Sequence, residues 1–222
     1  MQEIEILQTK NFLESVYEVY GKKSGIFFCS GKAAGVTSFG DISLFSKEKA
    51  LLYRMEFKSN TIFNNFLPLI PSVFNLKTKY FEIYNNDNIK IGEVYHQGRF
   101  GGGHFYYNIE NYEFMIYHIG LGKKGEKLLV FDNKKQVALI DRSLYRDNCL
   151  DKYFAFIAED DLVNIISLFI FYFDYTVYGR QTQFLRGREF SYLYTFNKKQ
   201  KSLYDENFTR NFIEKEKAKN AE

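Results

Sequence analysis

Apolar residues fill every face of residues 162–173, where Asn164 and Ser167 are the only polar interruptions. A helix with an apolar stripe packs on one neighbour, whereas a helix that is apolar all round is buried in a large core or crosses a membrane. Crossing takes about 20 mostly apolar residues. This run is shorter, carries an interior Asn and has Asp residues at both ends. It therefore reads as a helix near 160–173 that is enclosed by protein, and no transmembrane segment is expected. Glu159, Asp160 and Asp161 place negative charge where the helix starts, and Asp160 or a neighbour is positioned to cap its first N–H groups. Residues 153–157 just before it, Tyr-Phe-Ala-Phe-Ile, have the aromatic bias of a strand.

Full enclosure of a helix requires either a shell of helices or a sheet closed into a barrel. The rest of the chain favours the sheet. Residues 3–6 and 15–20 alternate, residues 25–29 follow after a glycine turn, and residues 50–57 put Leu52, Arg54 and Glu56 opposite Leu51, Tyr53, Met55 and Phe57. Residues 79–84 and 89–95 flank Asn85-Asn86-Asp87-Asn88, and residues 126–131 and 136–140 flank Asp132-Asn133-Lys134-Lys135. Asn and Asp tolerate the backbone conformations that tight hairpins need, so both read as hairpins. Residues 112–119, between them, are apolar on both faces. Pro68 and Pro71 exclude residues 60–71 from a central strand, leaving an apolar connector that reads as a lid over the core. The fold expected is mainly β, a closed antiparallel barrel around the central helix, spanning residues 1–178.

Beyond residue 178 the character changes. Residues 180–222 hold ten Lys and Arg against six Asp and Glu, a net charge of +4. Arg180, Arg186 and Arg188 interleave with Phe184 and Phe190. Residues 191–196 suggest one more strand and residues 205–219 a short polar helix, with a disordered end. The expectation is a basic C-terminal extension over residues 179–222.

Composition narrows the class. The chain has 222 residues, 45% hydrophobic and 26% charged, which is globular, and 19% aromatic, which supports β structure. A net charge of +3 is too balanced to argue for nucleic acid. Cys29 and Cys149 form no metal or redox pair, and residues 1–7 lack the pattern of a signal peptide, so the expectation is cytoplasmic with reduced thiols.

The order of two Asn/Asp-turn hairpins (residues 81–94 and 128–141), an aromatic strand (153–157), Asp160 and Asp161, an apolar helix and the closing Asp174 resembles the tubby C-terminal-like superfamily, in particular its small prokaryotic and LURP-one-related branch. The resemblance covers residues 72–178 and implies a barrel of about twelve strands threaded by one hydrophobic helix. The central helix of such proteins usually lies close to the C-terminus, and here a longer segment follows. The phosphoinositide-binding positions of eukaryotic tubby proteins have no counterpart in this sequence, so no binding residue is carried over.

For chemistry there is little. Residues 98–104, Gly-Arg-Phe-Gly-Gly-Gly-His, match neither a P-loop nor a dinucleotide fingerprint and read as a hairpin tip. His96, His104 and His118 are the only histidines, and neighbouring strands would have to bring them together to build a metal site. Cys149 stands beside Asp147 and Asp151, neighbours that do not activate a thiol. No nucleophile, base or metal constellation stands out, so the expectation is a non-enzymatic binding module without a cofactor. The first candidate ligand is an anionic phospholipid headgroup at a membrane face, contacted by Arg180, Arg186, Arg188, Lys198 and Lys199. A protein partner is the alternative, and a metal-dependent barrel around the three histidines is the third reading.

Overall fold

The computed structural model describes residues 2–12, 14–34, 40–58, 77–98, 103–147, 150–178, 188–190, 193–210 and 214, with only the backbone path at 12, 146, 147 and 188–190. In chain order the strands are β1 (Gln2–Phe12), β2 (Glu14–Gly21), β3 (Phe27–Ala34), β4 (Ile42–Ser46), β5 (Leu51–Phe57), β6 (Lys77–Asn85) and β7 (Lys90–Gln97). They continue as β8 (His104–Ile109), β9 (Tyr112–Gly120), β10 (Glu126–Asp132), β11 (Lys135–Arg142), β12 (Tyr145–Asp147), β13 (Lys152–Ile157) and β14 (Arg188–Phe190). The helices are α1 (Leu162–Val177) and α2 (Lys198–Lys201).

All strands except β12 and β14 form one closed antiparallel barrel. Each strand from β1 to β10 pairs with the next, and β13 closes the ring by pairing with β11 on one side and β1 on the other. Closure gives each barrel strand a partner on both sides, so the barrel itself has no edge strand. The expected hairpins form. Asn85 accepts from the backbone N–H of Asp87 and Ile89, and Asn88 adopts φ 62°. Asn133 and Lys134 both have positive φ, the geometry that matches a two-residue turn to the twist of its strands. Side chains alternate in and out with the period of a strand, most regularly in β2, β8 and β13.

The lumen is filled by α1. All but Asn164 and Val177 of its 16 residues are buried, as the apolar run requires. Phe171 stacks on Tyr17 at 4.7 Å between ring centres, and Phe105 meets Phe169, Tyr172 and Phe173 edge-on. The Tyr107 hydroxyl donates to the Ile165 carbonyl at 3.0 Å.

The bounds of the helix differ from expectation. It runs over 162–177 rather than 160–173, because the charge of Asp174 finds hydroxyl donors inside the barrel and does not end the helix. Its N-cap residue, Asp161, makes no capping bond, and its carboxylate instead accepts from the Tyr112 hydroxyl at 2.8 Å. No helix among the described residues is long and apolar enough to cross a membrane.

A second apolar cluster lies outside the barrel. Ile119, Leu129 and Leu139 point outward from β9, β10 and β11 and are covered by Leu203, Tyr204 and Phe208. This accounts for strands that are apolar on both faces. The segment after α1 thus folds back on the barrel wall. β14 pairs with β12 (Tyr145 opposite Phe190), and Tyr194 bridges to Leu121. The strand expected at 191–196 is reduced to that bridge among the described residues. The short helix expected at 205–219 appears as helical residues 208–210 and 214, and α2 was not anticipated. The connector 60–71, the loop tip 99–102 and Cys149 lie outside the described residues, while Cys29 is buried and its thiol is pushed up to about 12 by that burial.

Candidate functional site

Among the described residues the inward phase of most strands is apolar, but at one end of the barrel three inward positions carry charged residues and a fourth carries a histidine. Glu126 shares its phase with Leu128 and Val130, Arg142 with Ile140, Asp151 with Tyr153, and His118 with Ile116. They meet the C-terminal end of α1, which contributes Asp174 and Tyr178. Arg142 donates to Glu126 at 3.1 Å and to Asp151 at 2.8 Å, and its guanidinium lies 3.5 Å from the centre of the Tyr178 ring. The Tyr178 hydroxyl donates to Glu126. Asp174 accepts from Tyr17 at 2.7 Å, Tyr153 at 2.6 Å and Gln8 at 3.0 Å.

Among the described residues three carboxylates, Glu126, Asp151 and Asp174, lie around one guanidinium, and burial together with their mutual repulsion shapes the electrostatics. Burial and the charge of Asp151 push Asp174 up to about 7, against the hydrogen bonds from Tyr153 and Tyr17, which favour its ionised form. Burial also opposes the charge on Arg142, but the groups around it outweigh that and hold it firmly protonated. A buried network of this kind fixes geometry more than it adds stability, because desolvation offsets much of the attraction. Here it joins β1, β2, β10, β11, β13 and the helix end into one unit.

Beside this network opens a cavity of about 510 Å³, lined by His96 and His118 among others. His118 is held by Glu126 at 3.0 Å from Nε2 and packs edge-on against Phe173 at 4.9 Å. Because a carboxylate only accepts, Nε2 carries the hydrogen. His96 stands beside Thr78 and Phe105. Burial, then the nearby Lys79, His104 and His118, push it down to about 4, so its ring is neutral. His104, one residue before the inward Phe105, lies instead against Tyr117. Two of the three histidines therefore converge on one cavity, and no group of three or more metal-type ligands occurs among the described residues.

The cavity is roofed by residues 195–200. Thr195 exchanges hydrogen bonds with Gly120, and Gln200 donates to the Gly103 carbonyl at 3.0 Å. Asn197 caps α2, which presents Lys198 and Lys199 to solvent. Of the anticipated contact residues these two are exposed, Arg188 lies in β14, and Arg180 and Arg186 fall outside the described residues. Next to the lysines, Phe196 is 86% exposed and meets Tyr194 edge-on, while Lys201 sits 3.6 Å from the centre of the Tyr194 ring.

Lys79, Glu126, Arg142, Asp151 and Phe196 were not singled out from the sequence. The signal for Glu126 and Arg142 was present, as a charge on the apolar phase of a strand. Phe196 carried none, since exposure of an aromatic is decided by what folds over it. Comparison with protein-family models, curated proteins and solved structures found no match to this chain.

Proposed function

We propose that the chain is a non-enzymatic binding module of the tubby-like type, which docks on an anionic phospholipid surface at the cytoplasmic face of a membrane. Phe196 carries this reading. A phenyl ring exposed to this degree, beside Tyr194 and the exposed Lys198 and Lys199, combines an apolar anchor with cations that face the same solvent. Aromatic residues insert at the headgroup boundary, and each lysine near an anionic leaflet contributes about 1 kcal/mol. Because α1 occupies the lumen, a large ligand has the outer surface to bind, which is where this patch lies.

The test is co-sedimentation of the full chain with neutral and with anionic vesicles at two salt concentrations. Salt-sensitive binding to anionic vesicles, lost on Phe196→Ser and on the pair Lys198→Glu with Lys199→Glu, supports the reading. Failure to bind anionic vesicles at low salt, or binding that survives the charge reversal, overturns it.

A protein-interaction role is the second reading. It is favoured by an apolar groove of about 560 Å³ on the outer wall, where Tyr106, Met115, Tyr117, Phe131 and Leu203 meet. A photoreactive side chain placed at Met115 would crosslink a partner seated there.

A further inference from the structure

Strand register builds the groove at Met115 on the outer wall. Tyr95 of β7 stands opposite Tyr106 of β8, Tyr106 opposite Met115 of β9, and Met115 opposite Phe131 of β10, so the four form one row across the sheet. Residues two apart share a face of a strand, which puts Glu113 and Tyr117 on either side of Met115 along β9. Met115, 41% exposed, is thus a floor with a neighbour on each of four sides. Tyr106 stacks on Tyr95 at 5.1 Å between ring centres, which occupies one face of its ring and leaves the other to the groove it lines. Phe131 and Tyr117 meet at 80°, so their rings form two walls nearly at a right angle. Leu203, from the segment that folds back after α1, borders the same space.

Three rings and a carboxylate are the lining of a cation site. Glu113 accepts from the Tyr106 hydroxyl at 2.9 Å, which holds its carboxylate beside that ring. Lys134, exposed on the turn between β10 and β11, also borders the groove. These two formal charges cancel, so selection falls to the rings. Aromatic faces attract cations within about 6 Å of the ring centre. Tyr106 and Phe131 stand two strand spacings apart, about 10 Å at the backbone, so a cation above Met115 is within reach of both. The groove, about 560 Å³, has the size of a small-ligand site. An ammonium with N–H groups would leave donors unpaired against the rings, Met115 and Leu203, at a cost in affinity. A quaternary ammonium has no N–H, and its methyl groups suit these walls. We propose that the groove binds a small molecule through a quaternary ammonium group, seated on Met115 between Tyr106, Tyr117 and Phe131 with Glu113 as counter-charge. The inference does not rest on the anionic-surface reading, with which it shares no residue, and a solute in the groove is judged apart from a protein partner there.

The full chain is titrated by calorimetry with choline, with ethanolamine, which has N–H groups in place of the methyls, and with dimethylbutanol, in which carbon replaces the nitrogen. Choline is expected to bind saturably, and the other two at least about ten-fold more weakly. Phe131→Leu keeps an apolar wall and removes a ring, so choline affinity falls about ten-fold. Should that variant not fold, Tyr106→Leu, which removes a ring on the other side of Met115, is read in the same way. Lys134→Ala removes a like charge, so affinity should hold or rise. Phosphatidylcholine vesicles carry the same group. Sedimentation with them that free choline competes away assigns a lipid headgroup, and choline binding without sedimentation assigns a free solute. No saturable choline binding, equal binding of ethanolamine or dimethylbutanol, unchanged affinity in a folded ring variant, or weaker binding in Lys134→Ala would each overturn the proposal.

Discussion

The ring of Phe171 occupies the space where a Cβ on Gly31 would stand, with its Cε2 atom 2.1 Å from that position. Gly31 lies in β3, and the absence of a side chain there lets the central helix approach the barrel wall, while Tyr17 stacks on the same ring.

Gly31→Ala should therefore destabilise the barrel by about 1–3 kcal/mol, the usual cost of overpacking a filled core. Urea unfolding measures it. Phe171→Leu in the same chain should recover part of the loss, and a strictly additive double variant would show that the two residues do not compete for space.

Ile166 is fully buried on α1 and Asn164 is one of its two residues that are not. Ile166→Asp should leave no folded protein, since an unpaired buried charge costs several kcal/mol. Asn164→Asp should fold. Circular dichroism of the pair distinguishes an enclosed helix from one with an open face.

The stability contributions of His96 and Asp174 change in opposite directions over nearly the same pH window. The depressed value of His96 means the fold keeps its neutral form, so its contribution is complete above about 6.5 and is lost as pH falls through about 4. Asp174 is raised and has the opposite sign. Its contribution is complete below the ordinary carboxylate value of about 4 and is lost as pH rises through about 7. Removing either group should uncover the other: urea midpoints should fall as pH rises from about 4 to 7 in His96→Gln, and should fall as pH drops from about 6.5 to 4 in Asp174→Asn. A variant whose curve parallels the parent's would remove that group from the account.

Removing residues 180–222 uncovers Ile119, Leu129 and Leu139 on three adjacent strands. The shortened chain should self-associate, as exposed contiguous apolar surface does. Sedimentation velocity reads this directly. Tyr204→Ala or Phe208→Ala, by reducing the same cover, should each cost about 1–2 kcal/mol.

Much of the architecture was legible from residue order. An apolar run too short for a bilayer demanded enclosure, and Asn-rich turns between alternating stretches supplied the antiparallel strands to provide it. Those signals are local, set by strand period, turn chemistry and side-chain polarity within a few residues. The end of α1 was misplaced because Asp174 reads as a stop until Tyr17 and Tyr153 are seen to surround it.

The sequence by itself determined that a buried helix is wrapped by a β-sheet. Only the tertiary structure decided that the wrapping closes through β13 and β1, that His96 and His118 share a cavity with Lys79 while His104 lies elsewhere, and that Leu203, Tyr204 and Phe208 belong to the packed molecule. The reason is physical. Which charges meet depends on the register between strands far apart in the chain, and exposure depends on which segment folds over which, and neither quantity is carried by any short stretch of residues.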